Sequence, residues 1–135
     1  MDKDRLIKLL NDALQMEYTD VFLYPREAKY IEDKNIASIF EQFGLMETRH
    51  ADMLSIRILG LGAKPVWEFR LLDDLSDLKE ILKRHLGWEE AAIVFYQTLI
   101  DEIDNPEIKI VLRGIKAEEE IHRDKLKELV SGVLW

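Results

Sequence analysis

Two sets of side chains in this sequence have the types and the spacing to bind metal ions. In each set a Glu lies thirty places before the Glu of an ExxH motif and seven places before a Tyr. The second set repeats the first, type for type, seventy-two places further along the chain. The first set is Glu17, Tyr24, Glu47 and His50, and the second is Glu89, Tyr96, Glu119 and His122.

Chance rarely produces this repeat. Glu accounts for 15 of the 135 residues, and the random expectation for two ExxH motifs, each with a further Glu thirty places upstream, is roughly one in two thousand. A single Glu or a single ExxH motif on a helix is common and usually lies in solvent. The functional inference therefore depends on the pairing of the two halves.

The spacing predicts shared metal centres. Residues three apart on a helix lie on one face, so the Glu and His of one ExxH motif can reach the same ion. Four carboxylates buried together without a cation would repel one another and lose their hydration, and two divalent ions would balance them. Oxygen and nitrogen ligands suit iron or manganese, whereas structural zinc more often has Cys ligands, and this sequence has no Cys.

Length and composition indicate one helix-rich domain, predicted to cover residues 1–135. About 47% of the residues are hydrophobic, 34% are charged and the formal net charge is −8. The negative charge argues against nucleic-acid binding and against an anionic membrane surface. The N-terminus lacks the apolar core of a signal peptide, and no apolar run approaches the roughly 18 residues that span a bilayer. We expect a cytoplasmic protein.

The first half is predicted to form two helices. Apolar residues keep helical spacing from about residue 2 to 33, which indicates one amphipathic helix with a kink at Pro25. Polar residues at 33–35 predict a tight turn. A second helix is predicted from about residue 35 to 59, and the glycines that follow are expected to end it.

The second half repeats this arrangement after a long connection. Residues 60–73 have no helical period, and 13 extended residues can cover about 43 Å, more than the roughly 36 Å of a 24-residue helix. Helix 3 is predicted from about residue 74 to 103, and helix 4 from Pro106 to about Val130, with Gly132 ending it.

The predicted turns place the candidate ligands at one height. In each half the upstream Glu lies sixteen or seventeen places before the turn, and the ExxH motif lies thirteen to seventeen places after it. In an antiparallel helix pair these positions face each other. The internal repeat, about residues 2–60 and 74–132, therefore predicts two related helical hairpins with their ligands near the middle.

With these residues in place, the sequence resembles the ferritin-like di-iron carboxylate family. In that family two helices supply one Glu each and two others supply a Glu-x-x-His motif. The resemblance covers nearly the whole chain and is closest to the rubrerythrin and bacterioferritin branches, at residues 17–24, 47–52 and 89–96. It implies an all-α, ferritin-like four-helix bundle of two helical hairpins joined by one long crossover.

The resemblance also implies two iron ions per chain, with manganese or mixed metals as alternatives. In the family's pattern each metal has one terminal Glu and one His, and two further Glu bridge the metals. On this chain the terminal residues would be Glu17 and Glu89, the bridging residues Glu47 and Glu119, and the imidazoles His50 and His122.

The two tyrosines of the repeat have two possible roles. Tyr24 and Tyr96 lie two turns beyond the terminal Glu residues. They are predicted to assist catalysis through a hydrogen bond to a ligand or by supplying an electron, and packing in the core is the alternative.

Other polar residues near the ligands are expected to be peripheral. Asp20 is interpreted as a supporting or surface residue, with an auxiliary ligand role as the alternative. His85 lies in a Lys-Arg-His run and is predicted at the surface. Glu118 is predicted to be solvated, like Glu120, or else to bond a ligating imidazole.

The resemblance implies a di-iron oxidoreductase similar to rubrerythrin, which oxidises Fe(II) pairs with hydrogen peroxide or oxygen as a peroxidase or ferroxidase. Three alternatives remain open at this point. They are a non-enzymatic store or carrier of iron or another metal, a di-iron oxygenase acting on an organic substrate, and a structural bundle with a vestigial site. We expect a homodimer.

Departures from the family narrow these expectations. Rubrerythrins carry a further iron held by four cysteines, which this chain lacks, so a peroxidase would need an external electron donor. Their additional Glu one turn beyond the helix-3 ligand is Ala92 here.

Bacterioferritins bind haem through a Met directly after the first ExxH Glu, where this chain has Thr48, so no haem is expected. The sequence ends at Trp135 without the fifth helix of cage-forming ferritins, which argues against a storage shell.

Overall fold

The computed structural model describes residues 1–133, and within them the chain forms four α-helices and no β-strand. The helices are α1 (Lys3–Ala28), α2 (Lys34–Gly60), α3 (Leu78–Glu102) and α4 (Pro106–Val133). By its contacts the chain divides into two compact units, and the second begins at Asp73. Each unit contains one antiparallel pair of helices, hairpin 1 (α1 and α2) and hairpin 2 (α3 and α4), so the all-α prediction is confirmed.

Every helix begins at an Asp or Asn whose side chain caps its first turn. The side-chain oxygen accepts hydrogen bonds from backbone N–H groups two or three residues further along the chain. Such caps satisfy donors that have no partner within the helix. The four capping residues are Asp2, Asp33, Asp77 and Asn105.

The caps explain where the predicted helix bounds were wrong. The turn between α1 and α2 lies at residues 29–33 rather than 33–35, because Asp33 is already the cap of α2. Helix α3 begins four residues later than predicted, after Asp77. Helix α4 does begin at Pro106 as predicted, but it continues through Gly132, so the predicted end there was wrong.

Helices α1 and α2 approach each other closely near the end of α1. A Cβ atom added to Gly44 would lie 3.1 Å from Pro25 Cδ and 3.5 Å from Tyr24 Cβ. Pro25 lies inside α1, three residues before its last residue, and has no backbone N–H to bond the carbonyl of residue 21. The ring of Tyr24 packs edge-on against Phe40 and Phe43, at centroid distances of 5.0 and 5.6 Å.

The connection after α2 covers residues 61–77 and runs along α1 in the same direction. Asn11 Oδ1 accepts a hydrogen bond from Val66 N at 2.8 Å, and Thr19 Oγ1 accepts one from Arg70 N at 3.0 Å. Eight helical residues rise about 12 Å and four extended residues about 13 Å, so the two spacings match. The predicted long crossover is thus confirmed.

Aromatic contacts hold the same segment against α1. Tyr18 lies edge-on to Trp67 at 5.4 Å and to Phe69 at 6.0 Å, and Phe22 stacks on Phe69 at 4.5 Å. Each pair buries apolar surface that would otherwise face water. These contacts fix an irregular segment without giving it secondary structure of its own.

Hairpin 2 has an aliphatic core. Helix α3 contributes Leu82, and α4 contributes Leu112, Ile115 and Leu126, all of which are fully buried. Together with the buried Glu119 and His122, the three residues of α4 keep the three- and four-residue spacing of an amphipathic helix. No helix within residues 1–133 combines the length and the apolar character needed to cross a bilayer.

Candidate metal centre

Hairpin 1 brings together the three ligands predicted for it. Glu17 comes from α1, and Glu47 and His50 come from α2; they are 2%, 0% and 0% exposed. His50 Nδ1 lies 3.5 Å from Glu17 Oε2 and 3.7 Å from Glu47 Oε1. Each residue offers a ligand atom within 4.8 Å of those of the other two.

Hairpin 2 repeats this set. Glu89 comes from α3, and Glu119 and His122 come from α4; they are 1%, 1% and 2% exposed. His122 Nδ1 lies 3.9 Å from Glu89 Oε1, and one ligand atom of each residue lies within 4.8 Å of those of the other two. The two hairpins therefore contain matching donor sets in which the imidazole Nδ1 faces the Glu of the other helix.

These distances suit atoms that share one ion. Two atoms that each lie about 2.1 Å from a metal are at most about 4.2 Å apart. The separations of 3.5, 3.7 and 3.9 Å fall below this limit, and they exceed the usual 2.7–3.2 Å of an N–H···O hydrogen bond.

The candidate ligands occupy positions that an amphipathic helix normally gives to apolar residues. Glu17 follows Leu10 and Leu14 on the buried face of α1, and Tyr24 continues that face. Glu47 and His50 lie one turn apart on the buried face of α2. The helical period that builds the core therefore also directs these acids inward.

The charge and chemistry of each set fit a divalent metal ion. Each hairpin buries two carboxylates and one imidazole, and burying such charges without a counter-ion costs several kcal/mol per ion. The donors are oxygen and nitrogen, which suit iron and manganese, and the chain has no Cys to favour a thiolate site.

Both predicted tyrosines are fully buried. Tyr24 packs on α1 beside aromatic residues of α2, and Tyr96 lies edge-on to Phe95 at a centroid distance of 5.9 Å. Each lies two turns beyond the terminal Glu of its own hairpin. Their burial fits both a role beside the ligands and core packing, so the catalytic role remains a prediction.

The prediction that His85 lies at the surface was wrong. His85 is 0% exposed, and its ring lies edge-on to Trp88 at a centroid distance of 5.4 Å. The neighbouring Lys83 and Arg84 suggested an exposed basic run, but Arg84 turns away and stacks over Trp88 at 5.1 Å. The helical spacing does predict the burial of His85, because His85 lies one turn before Glu89 on the same helix face.

Two further acids of α1, Asp20 and Glu27, are also buried. Asp20 is 8% exposed and Glu27 is 6% exposed, so a surface position for Asp20 is excluded. Glu118 and Glu120, expected in solvent, are half-buried, and Glu120 Oε1 lies 3.3 Å from Lys116 Nζ in a partly exposed ion pair.

Comparison with solved structures supports the fold. Bacterioferritin from Desulfovibrio desulfuricans, a structure described for its diiron site, aligns with a TM-score of 0.90 and 22% identity over 97% of this chain and 81% of its own. Rhodobacter capsulatus bacterioferritin, which contains haem iron, gives 0.87 and 27% over 97% and 86%. The dodecameric thioferritin of Bacteroides fragilis, a bacterioferritin-related protein, gives 0.89 and 24% over 99% and 89%.

These likenesses confirm the predicted ferritin-like fold. None of the curated proteins compared with the chain matches it. A model of the rubrerythrin family matches residues 8–130, a range that contains both ligand sets. The chain therefore belongs to the rubrerythrin family.

Proposed function

We propose that the six buried ligands bind two iron ions per chain and that the protein oxidises Fe(II) with hydrogen peroxide or oxygen, as a peroxidase or ferroxidase. The observation that carries this proposal is the matched pair of buried sets, each with two carboxylates and an imidazole. Manganese or a mixed pair would satisfy the same donors.

The residues have distinct proposed roles. Glu17 and Glu89 would be terminal ligands, as in the family's pattern, and they lie 3.5 and 3.9 Å from the imidazole Nδ1 of their own hairpins. The bound iron pair would supply two electrons to one oxidant molecule, and hydrogen peroxide with two protons would leave as two waters. Glu47 and Glu119 are proposed to bridge the metals, as in the family's pattern.

Burial of the proposed ligands also excludes bulk water from the site. At 0–2% exposure the six side chains are shielded from bulk water, which strengthens their electrostatic interactions. Tyr24 and Tyr96 are proposed to steady a ligand through the phenol or to pass an electron. Since the chain has no Cys, reducing equivalents would come from an external donor.

We also propose that the protein works without haem. Thr48 follows Glu47 directly, and its hydroxyl donates a hydrogen bond to Gly44 O at 3.0 Å. A hydroxyl in that position offers haem iron no thioether ligand.

We further propose that the protein is a homodimer in the cytoplasm.

The second candidate function is metal storage. One relative of the same fold is a dodecameric thioferritin, so a storage shell is the alternative that the comparisons favour. Light scattering with size-exclusion chromatography distinguishes the oxidising enzyme from the storage protein by the size of the assembly. A dimer would support the enzyme, and a shell of twelve or more chains that retains ferric iron would support storage.

The first test is metal stoichiometry. Wild-type protein should bind two Fe(II) per chain under anaerobic conditions, and Glu47→Ala or Glu119→Ala should retain at most one, because each removes a proposed bridge. Glu41→Ala, at an exposed position of α2, is the matched control and should retain two. Two irons per chain in both bridge variants would overturn the assignment.

Kinetics then identify the reaction. Stopped-flow mixing of the loaded protein with oxygen or hydrogen peroxide should produce ferric absorbance in the near ultraviolet. Faster oxidation by peroxide indicates a peroxidase, and faster oxidation by oxygen indicates a ferroxidase. Tight binding without oxidation would favour the storage protein or carrier.

A further inference from the structure

The residues that flank the two terminal Glu positions differ between the hairpins. In hairpin 1, Asp20 lies three residues after Glu17 and Ala13 lies four residues before it. The equivalent positions of the repeat in hairpin 2 hold Ala92 and His85. All four are buried, with 8% exposure for Asp20 and Ala92 and 0% for Ala13 and His85.

This difference changes the charge of the two sets. Residues three or four apart are neighbours on one helix face, so Asp20 adds a third buried carboxylate within one turn of Glu17. Hairpin 2 has a methyl group at that position, and His85 contributes an imidazole within one turn of Glu89. Hairpin 1 therefore has one more buried carboxyl group close to its terminal ligand than hairpin 2.

We infer that the two metal positions are unequal, and that hairpin 1 binds the first metal ion because Asp20 lies beside it. The inference rests on the proposed two-metal function. Even with the dielectric constant of water, a unit charge about 6 Å from a divalent ion changes its affinity about tenfold, and a buried setting increases the effect. Asp20 sets the order of loading, and the imidazole of His85 adds no negative charge to the second position.

Variants that leave one position each can test this. His122→Ala removes the imidazole of hairpin 2, and His50→Ala removes that of hairpin 1. Anaerobic Mn(II) titration, with free Mn(II) measured by electron paramagnetic resonance, gives the affinity of the remaining position. We expect the position left in His122→Ala to bind Mn(II) at least about tenfold more tightly than the one left in His50→Ala.

The role of Asp20 is tested in both backgrounds. Asp20→Asn should weaken Mn(II) binding about tenfold in His122→Ala and by a clearly smaller factor in His50→Ala, because the carboxylate that is removed lies on hairpin 1. Asp101→Asn removes the same charge at an exposed position of α3 and should leave both affinities unchanged. Equal losses in the two backgrounds, or no loss in either, would overturn the inference.

The reverse substitution gives an independent arm. Ala92→Asp should strengthen Mn(II) binding about tenfold in His50→Ala, because it places a carboxylate at the equivalent position of hairpin 2. This arm does not depend on whether Asp20→Asn folds, and circular dichroism checks each variant. Equal affinity of the two positions would overturn the inference alone, whereas a wild-type protein that binds no metal pair would overturn the proposed function.

Discussion

Buried charge is the main feature of this protein at the level of single residues. Ionised carboxylates are almost never fully buried unless they are paired or bind a metal. Glu47 is 0% exposed, Glu89 and Glu119 are 1% exposed and Glu17 is 2% exposed. A divalent ion bound between donors that lie 3.5 to 3.9 Å apart, as proposed, would offset the cost of burying these groups.

Tyr24 offers a test of function at the same scale. Tyr24→Phe removes only the phenol oxygen, so the packing against Phe40 and Phe43 should persist. If the phenol assists a ligand or supplies an electron, two irons should still bind while the oxidation rate falls about tenfold, a typical effect for groups that support a metal ligand. Metal analysis and stopped-flow absorbance measure the two quantities.

Tyr30→Phe is the matched control, because Tyr30 is 70% exposed. An oxidation rate of Tyr24→Phe equal to that of wild type would assign Tyr24 to core packing alone. A loss of iron from the variant would instead show that the phenol holds a ligand in place.

At the level of the helices, α1 and α2 pack closely where Gly44 faces Pro25. Gly44 leaves room for Pro25, whose ring is attached to the backbone and cannot rotate away. Gly114, by contrast, lies on the exposed face of α4, where an added Cβ atom would meet no atom within 4 Å. The two glycines have the same intrinsic helix propensity but different surroundings.

Substituting these glycines by alanine should therefore have opposite effects. Gly114→Ala should raise the free energy of unfolding by about 0.5–1 kcal/mol through helix propensity. Gly44→Ala should lower it by about 1 kcal/mol, because the added methyl group overpacks the contact with Pro25. Urea unfolding of the metal-free protein gives both values, and a gain for Gly44→Ala would show that α1 can move away.

At the level of the whole molecule, charge connects metal binding with stability. The formal net charge is −8, and two divalent ions add four positive charges, which leaves −4. Part of the self-repulsion of the folded chain is thus removed when the proposed centre fills. A structural bundle with a vestigial site would show no such coupling.

Removal of the metal should lower the thermal stability. Each ion present at about a thousand times its dissociation constant adds about 4 kcal/mol, which for a chain of this size corresponds to a rise in Tm of about 14 °C per ion. We expect this difference between metal-loaded and chelator-treated protein by calorimetry.

Glu47→Gln should reduce the difference in Tm between metal-loaded and metal-free protein by changing both values. It removes one buried charge, which raises the Tm of the metal-free protein, and it weakens the metal site, which lowers the Tm of the loaded protein. Equal Tm values for loaded and metal-free wild-type protein would favour the vestigial bundle.

Much of this architecture follows from local sequence patterns. The four helices, the long connection and the first residue of α4 follow from helical periodicity, turn residues and proline, because these signals act within a few residues. The six candidate ligands follow from the internal repeat of the sequence, because the Glu and His of an ExxH motif face one way on any helix.

Burial and helix ends were decided by the tertiary structure. His85 follows two basic residues and Asp20 is an acid, so the local composition predicted that both would be exposed to solvent. Instead His85 is 0% exposed and Asp20 is 8% exposed. The start of α3 depended on which Asp caps it, because Asp73, Asp74 and Asp77 all precede the helix. A residue is buried by what packs on its helix face, and that packing is set by residues distant in sequence.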